Sequence, residues 1–429
     1  MNDREPFIYI KQMYMKGFFD LEENCKEKII SEDYWDFIIP LYRDEELKEV
    51  NPENACIQEM DFGYKSVSVD RRILLPLSFR EYWYSTIPKC YALLDMQPLD
   101  AAGIITLQNY PTLQLMGDGI MIGFLDTGID YQNRVFRNLD GTTRIVGIWD
   151  QTIQTGRTPQ GLYYGTEYTE EMINAALRSE DPLQIVPSVD TDGHGTFVAS
   201  AAAGGAEVGK RFLGAAPEAS IAMVKLKPAK NYLKEFFAIA QDAVCYQEND
   251  IMLGLRYLND LARKQGMPLV ICVALGTSFG GHNGDSLLAD ILDIYATVRN
   301  RCVVVGTGNE AARRHHYFNR FTDAQDMRTA EIRVGEGTQS FAVELWSTLP
   351  NIVMVSVTSP SGERTGMIPV RLGYLFDFLF TFERTTITVE YRLLQENNDA
   401  QLVFIRFQNA VPGIWKIDIK PAMQTIGDF

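Results

Sequence analysis

The sequence has 429 residues, of which 46% are hydrophobic, 22% charged and 11% aromatic. This composition is that of a globular protein, and it excludes extended disorder and collagen-like repeats. The 40 Lys and Arg residues against 56 Asp and Glu give a formal net charge of −16. Because nucleic acids and anionic membranes attract basic surfaces, we expect neither as a partner. The length suggests about three domains.

The N-terminal residues lack the apolar run of a signal peptide, since Lys11 and Lys16 interrupt it. No stretch approaches the roughly 18 uninterrupted apolar residues of a membrane span. We therefore expect a soluble protein without an export signal.

The cysteines are far apart and form no Cys-x-x-Cys pair, which argues against a zinc ribbon or a thioredoxin-type site. We expect all of them to be reduced thiols. They are Cys25, Cys56, Cys90, Cys245, Cys272 and Cys302.

Three units follow one another along the chain. Residues 1–97 mix short apolar runs with acidic connections, which indicates a small α+β unit with strands over 34–41 and 64–69. Residues 98–330 form an α/β core, because apolar runs alternate there with helical patterns, as in a parallel sheet with helices on both faces. Its predicted strands cover 120–125, 145–149, 220–226, 268–275 and 301–305. Its predicted helices cover 194–204, 232–247, 251–265 and 284–299.

Residues 331–429, called the β-module below, lose the helical signal and alternate apolar with polar residues. This pattern predicts an all-β sandwich or jelly roll. Its predicted strands cover 340–346, 351–357, 367–371, 385–391, 401–407 and 413–419.

Three polar residues occupy strand-to-helix edges of the core, where function lies in a parallel sheet. Asp126 follows the first predicted strand, within Asp-Thr-Gly-Ile-Asp. His194 opens the first predicted helix between two glycines, which let a substrate backbone approach. Asn309 follows the last predicted strand, within Gly-Thr-Gly-Asn. Each alone is equally a turn or structural residue, so the evidence is their combination.

The order Asp, His, Asn along one parallel sheet resembles the active site of subtilisin-like serine proteases (subtilases of the S8 type). Further segments are similar to that family, and some of them to the germination-protease-like subtilases of clostridia and other Firmicutes. These segments are residues 143–145, 148–151, 212–217, 219–227, 273–276 and 280–284.

The resemblance implies a role for each residue. His194 is the base, Asp126 orients it and Asn309 donates to the oxyanion. The implied substrate-binding residues are Ala274, Leu275, Gly276, Gly306 and Gly308, with Ala274 where Ser is common in the family.

The resemblance also implies a subtilisin-like α/β fold, with residues 1–97 as a prodomain and the β-module as an incomplete, jelly-roll-like insertion. The implied partners are a polypeptide substrate and the chain's own prodomain. The implied location is cytoplasmic or spore-associated.

The sequence departs from the family at the nucleophile, which lies in Gly-Thr-Ser-x-x-x-Pro beyond the oxyanion Asn. The later serines match no such motif, and residues 276–278, which read Gly-Thr-Ser, come too early and fit the end of the substrate strand. These later serines are Ser340, Ser347, Ser356, Ser359 and Ser361.

We expect a C-terminal truncation with the nucleophile beyond Phe429, because a β-module that stopped there would leave an unpaired edge. On this hypothesis the 429-residue chain alone is inactive. The alternative is an inactive subtilase-fold sensor or scaffold. Sequence beyond codon 429 would distinguish them.

Signals for other functions are weak. Residues 204–210 fit Gly-x₄-Gly-Lys, but Arg211 replaces the Ser or Thr of a phosphate-binding loop and no strand precedes it. Asp-Thr-Gly occurs once, whereas aspartic proteases pair two such aspartates.

Neighbouring arginines make Glu310, His315 and His316 a poor metal site. We assign no cofactor; structural Ca²⁺, which subtilases often bind, has no defined acidic loop here.

Overall fold

The structure, a computed structural model, contains three packed units. It describes residues 22–40, 54–93, 104, 108, 115–207, 212–310, 313–323, 325–394 and 399–422. None of the helices in these ranges combines the length and hydropathy needed to cross a bilayer.

A helix packed on a three-stranded antiparallel sheet forms the N-terminal unit (residues 22–93). Its elements are α1 (Glu22–Ile30), β1 (Tyr34–Pro40), β2 (Ala55–Glu59) and β3 (Tyr64–Asp70). β3 lies between β1 and β2, so the two predicted strands are neighbours in the sheet. α1 and β2 were not predicted, and Leu41 lies outside the described residues.

A disulfide joins Cys25 of α1 to Cys56 of β2. The prediction of six reduced thiols is therefore wrong for this pair. The 31-residue separation gave no sign that packing brings their Cα atoms to 5.2 Å, a normal distance for a bridged pair. The other four cysteines are free.

Short strands and a central sheet form the core, and the first strand named below belongs to the N-terminal unit but pairs with two of the short core strands. In chain order they are β4 (Cys90–Leu93), β5 (Met121–Asp126), β6 (Ile145–Asp150), β7 (Thr166–Thr169), β8 (Ser220–Lys225), β9 (Tyr246–Gln247), β10 (Leu269–Val273), β11 (Leu275–Gly276) and β12 (Arg301–Val305). The sheet has the order β12-β10-β5-β8-β6-β7. Its strands are parallel except β7, which was not predicted and pairs antiparallel with β6. β5 is buried at every residue, as expected for a strand covered on both faces.

The core has helices that cover the sheet and one short helix, at residues 231–236, that packs with Phe79 and Phe404 instead. They are α2 (Glu170–Arg178), α3 (His194–Ala203), α4 (Asn231–Phe236), α5 (Glu248–Gln265) and α6 (Leu287–Thr297). α5 carries acidic residues in its first turn and basic ones in its last, which suits the helix dipole. The predicted helix 232–247 is wrong beyond Phe236, because Ala238 has a positive φ of 55° and residues 246–247 pair as a strand.

Two antiparallel sheets form the β-module, with the orders β13-β19-β15 and β14-β18-β17-β16. These strands are β13 (Arg328–Val334), β14 (Ser340–Thr348), β15 (Val353–Thr358), β16 (Leu375–Leu379), β17 (Thr386–Leu394), β18 (Ala400–Gln408) and β19 (Gly413–Pro421). Buried Trp415 contacts Phe380 and Phe407 between the sheets. The predicted strand 367–371 is wrong: it makes a single bridge, through Ile368. β13 and β16 were not predicted.

Phe79 links all three units. It is fully buried, and its ring lies 5.2 Å from that of Phe236 in the core and 4.8 Å from that of Phe404 in the β-module. Its backbone N–H also donates to Glu390 of the β-module at 2.9 Å. The N-terminal unit is therefore packed against both other units.

We expect Phe79→Ala to lower the free energy of unfolding by about 3–5 kcal/mol, because it leaves a cavity where three units meet. Urea denaturation followed by tryptophan fluorescence measures this loss. Phe382→Ala is the matched control, since Phe382 is 81% exposed and its loss should change stability by less than about 0.5 kcal/mol. Equal effects of the two substitutions would contradict the interface.

Candidate active site

Asp126 and His194 lie side by side at the C-terminal edge of the central sheet. Asp126 ends β5, His194 begins α3, and His194 Nδ1 lies 2.8 Å from Asp126 Oδ1. The side chain of Asp126 is 1% exposed and that of His194 is 14% exposed. A carboxylate at Nδ1 fixes the tautomer and leaves Nε2 as the nitrogen that can accept a proton.

Glycines allow α3 to approach the turn that follows β5. A Cβ atom on Gly195 would lie 2.2 Å from the Gly128 carbonyl oxygen and 3.0 Å from Asp126 Cβ. Gly193, on the other side of His194, has a φ of 91°. The sequence pattern predicts that these glycines admit a substrate backbone, whereas in the structure Gly195 allows the contact between the segments that carry Asp126 and His194.

Asp190 joins the two segments that carry Asp126 and His194. Its Oδ1 accepts hydrogen bonds from Thr127 Oγ1 at 2.8 Å and from Gly193 N at 2.9 Å. Its Oδ2 accepts from Thr196 N at 2.8 Å and from Thr196 Oγ1 at 2.6 Å. Thr127 Oγ1 in turn accepts from Gly195 N at 2.8 Å.

The charge of Asp190 is stabilised by these bonds. Burial alone would raise the pKa of Asp190, but the hydrogen bonds from Thr196, Gly193 and Thr127 outweigh it and hold that pKa below its usual range. Sequence reasoning missed this residue, although it belongs to the segment that contains His194.

Asn309 lies at the same edge of the sheet. β12 ends at Val305, which pairs with Val273 of β10, and β10 is also the parallel neighbour of β5. Asn309 is exposed in the loop beyond β12. In that loop Gly306 N donates to Val273 O at 3.0 Å, and Gly308 has a φ of 89°.

The predicted substrate strand is already paired. Ala274 is buried, and β11, which contains Leu275 and Gly276, pairs antiparallel with β4. β4 pairs on its other side with β9, so the end of the N-terminal unit lies as a middle strand between two core strands. We call the groove between β9 and β11 the cleft.

The later serines all lie in the β-module: Ser340 and Ser347 in β14, Ser356 in β15, and Ser359 and Ser361 in the turn after β15. None of these five is placed at the edge of the central sheet.

His315 pairs with Glu310 through Nδ1 and Oε2 at 2.5 Å, and both side chains are about half exposed. In the described part of the chain, no three His, Cys, Asp or Glu side chains form a cluster that could hold a metal ion.

Comparison with known proteins agrees with the parallel-sheet fold. A model of the Subtilase family (peptidase S8) matches residues 117–365, more than half of the chain. The chain therefore belongs to the subtilase family. A solved structure, the CspB protease of Clostridium perfringens, is 29% identical with a TM-score of 0.65. That match covers 76% of this chain and 64% of the other, so the chain spans slightly less than two thirds of that structure's length. A search of curated proteins found no match.

We expect Asp190→Asn to weaken the contact between His194 and Asp126, because an amide group turns hydrogens toward donors that need an acceptor. Stability should fall by about 1–3 kcal/mol, and the far-downfield NMR signal of the His194 Nδ1 proton should weaken or disappear. The depressed pKa of Asp190 gives stability that is present above its ordinary pKa and lost as pH falls through the lower folded-state value. The stability difference from the variant should therefore shrink in acid.

Asp192→Asn is the matched control, since Asp192 lies in the same loop and accepts a long 3.3 Å bond from His194 N. An unchanged His194 signal in Asp190→Asn would show that Asp190 does not hold the pair.

Proposed function

We propose that the protein is a serine endopeptidase of the subtilisin type, similar to the germination-protease-like subtilases. Asp126, His194 and Asn309 would act with a serine that lies outside these 429 residues. The observation that carries the proposal is the 2.8 Å contact between a buried carboxylate and His194 at the sheet edge, in a chain of the subtilase family.

The geometry suits acyl transfer. A serine hydroxyl is a weak nucleophile until a base takes its proton, and His194 Nε2 is the free base position. Asp126 would stabilise the imidazolium that forms, and the same proton would then pass to the leaving amine. Asn309 would donate its amide to the oxyanion, a contribution whose loss typically lowers turnover about 10²–10³-fold.

The N-terminal unit would act as an inhibitory prodomain. Its last described strand, β4, lies in the cleft beside Leu275 and Gly276, the residues proposed to bind the substrate backbone. Main-chain pairing of this kind is how an extended peptide binds a sheet edge, so β4 would exclude a peptide substrate until it is removed. The β-module would be an insertion between Asn309 and the nucleophile.

An inactive subtilase-fold sensor or scaffold is the second candidate. It is favoured by the five later serines, which all lie in the β-module. The gene sequence beyond codon 429 decides between the two. A Gly-Thr-Ser-x-x-x-Pro motif there supports the protease, and a continuing gene without a serine in such a motif supports the inactive protein.

We expect the 429-residue chain alone to cleave no peptide substrate, because His194 would have no hydroxyl to activate. Fluorogenic peptides and a serine-directed phosphonate probe test this directly. His194→Ala is the control that measures background. Phosphonate labelling that depends on His194 would show that one of the described serines is the nucleophile.

In a longer form that contains the nucleophile, we expect self-cleavage between residues 85 and 100, a window that contains β4. From the sequence, residues 87–94 are the segment expected to lie along the substrate cleft as the prodomain tail, and Leu94 lies outside the described residues. N-terminal sequencing of that form, with and without a Ser→Ala change at the nucleophile, measures the cleavage. An intact N-terminus in both, with full activity, would rule out the prodomain role.

A further inference from the structure

A buried carboxylate lies at the floor of the cleft. Glu248 begins α5 and is fully buried. Its Oε1 accepts hydrogen bonds from Tyr91 OH at 3.2 Å and from Leu288 N at 3.2 Å. Its Oε2 accepts from Lys89 N at 3.2 Å, and Lys89 Nζ lies 3.9 Å away. Both Tyr91 and Lys89 belong to the segment that fills the cleft, whereas Leu288 belongs to the core.

Tyr91 fits this site through its apolar ring and through its hydroxyl, which donates a hydrogen bond. Its side chain is 6% exposed and belongs to the same buried apolar cluster as Leu275, Leu288 and Ile251. Burial first, and then the charge and hydrogen bond of Glu248, raise the pKa of the Tyr91 phenol well above its usual value. The phenol therefore stays protonated and acts as a donor to the carboxylate.

The strand register places Tyr91 upstream of the catalytic candidates. Ala92 pairs with Gly276 and Leu93 with Leu275. The N-to-C direction of β4 therefore points toward the C-terminal end of β10. β10 ends beside β5, which carries Asp126. A peptide that binds in the place of β4 would thus present its backbone to the catalytic edge a few residues after the position of Tyr91.

Glu248 needs a donor from whatever occupies the cleft. When β4 leaves, the Glu248 carboxylate loses the Tyr91 hydroxyl and the Lys89 backbone N–H as donors and keeps the Leu288 N–H. With the cleft empty, water replaces these donors, but a bound peptide excludes that water, and a buried carboxylate left without donors is strongly destabilised. A peptide with Phe at the Tyr91 position would fill the apolar pocket but leave Oε1 without its phenol donor, and sites built around such a bond reject the analogue that lacks it.

We propose that Glu248 makes the cleft selective for extended peptides that carry a tyrosine at the position Tyr91 occupies. This inference rests on the proposed function, because it takes the cleft to be the substrate site. Glu248 is a specificity-determining residue rather than a catalytic one, and the substrate class is peptides with Tyr a few residues before the bond that is cleaved. We expect Tyr to be preferred over Phe by about tenfold to a hundredfold in affinity.

Binding to the full 429-residue chain carrying Tyr91→Ala tests the proposal without requiring catalysis. The substitution removes the phenol of β4 and keeps Glu248. Two fluorescent octapeptides have the sequence of residues 86–93, one with Tyr and one with Phe at position 91, and fluorescence anisotropy gives their Kd values. Alkylation of Cys90, which is 5% exposed in β4, reports in a parallel sample without peptide whether β4 has left the cleft.

The Tyr peptide should bind at least tenfold more tightly than the Phe peptide. In the same background Glu248→Gln should reduce this ratio to less than about threefold. The matched control Glu235→Gln, an exposed carboxylate on α4, should leave it unchanged.

Each other outcome is decisive. Equal Kd values for the two peptides would overturn the tyrosine selectivity and leave the peptide cleft intact. Slow Cys90 alkylation, as in the unsubstituted chain, would show that the phenol does not hold β4 and would also overturn the proposal. Fast alkylation with no binding of either peptide would contradict the cleft as a substrate site, and with it the proposed function.

Discussion

The approach of α3 to the end of β5 is the constraint on which the site depends. Any side chain at Gly195 would collide with the Gly128 carbonyl, so the two backbones can meet only through glycine. The contact is then held by charge, since the Asp190 carboxylate accepts bonds from both segments. The short distance between Asp126 and His194 is therefore a property of two backbone segments, and the two side chains need little further ordering.

Much of this arrangement could be predicted from the sequence, and the exceptions have physical causes. The strands of the central sheet are short apolar runs, and a parallel sheet places their C-terminal ends at one edge. The sequence therefore predicts that Asp126 and His194 lie close together at that edge. The segment 237–247 has the apolar content of a helix, but its buried residues Phe237 and Cys245 belong to a tertiary cluster rather than to one helix face. Asp190 and Asp192 are two residues apart in one loop, and sequence alone cannot show which of them accepts four hydrogen bonds.

The contacts between the N-terminal unit and the core include buried charges as well as apolar rings. Asp36 of β1 lies 2.9 Å from Lys230 of the core, and both are almost fully buried. Burial lowers the pKa of Lys230, an effect that the nearby Asp36 opposes. Such a pair adds little net stability, but separating it leaves two uncompensated charges. The two units are thus matched to each other specifically, in a way that apolar packing alone does not provide.

On the proposed function, a strand that occupies the cleft as a substrate would is also an inhibitor. β4 is joined to the core by the chain that follows it, and this covalent tether gives it an effective concentration at the cleft of millimolar order or higher, so a free peptide competes poorly with it. The Glu248 contacts increase this advantage, because they are lost as soon as β4 leaves. In the unsubstituted chain, a peptide that uses the identical contacts can win only after the tether is cut, when the segment becomes a bimolecular ligand. Recognition of tyrosine and inhibition by β4 would then be two consequences of one buried carboxylate, and the state of the tether would decide which one is observed.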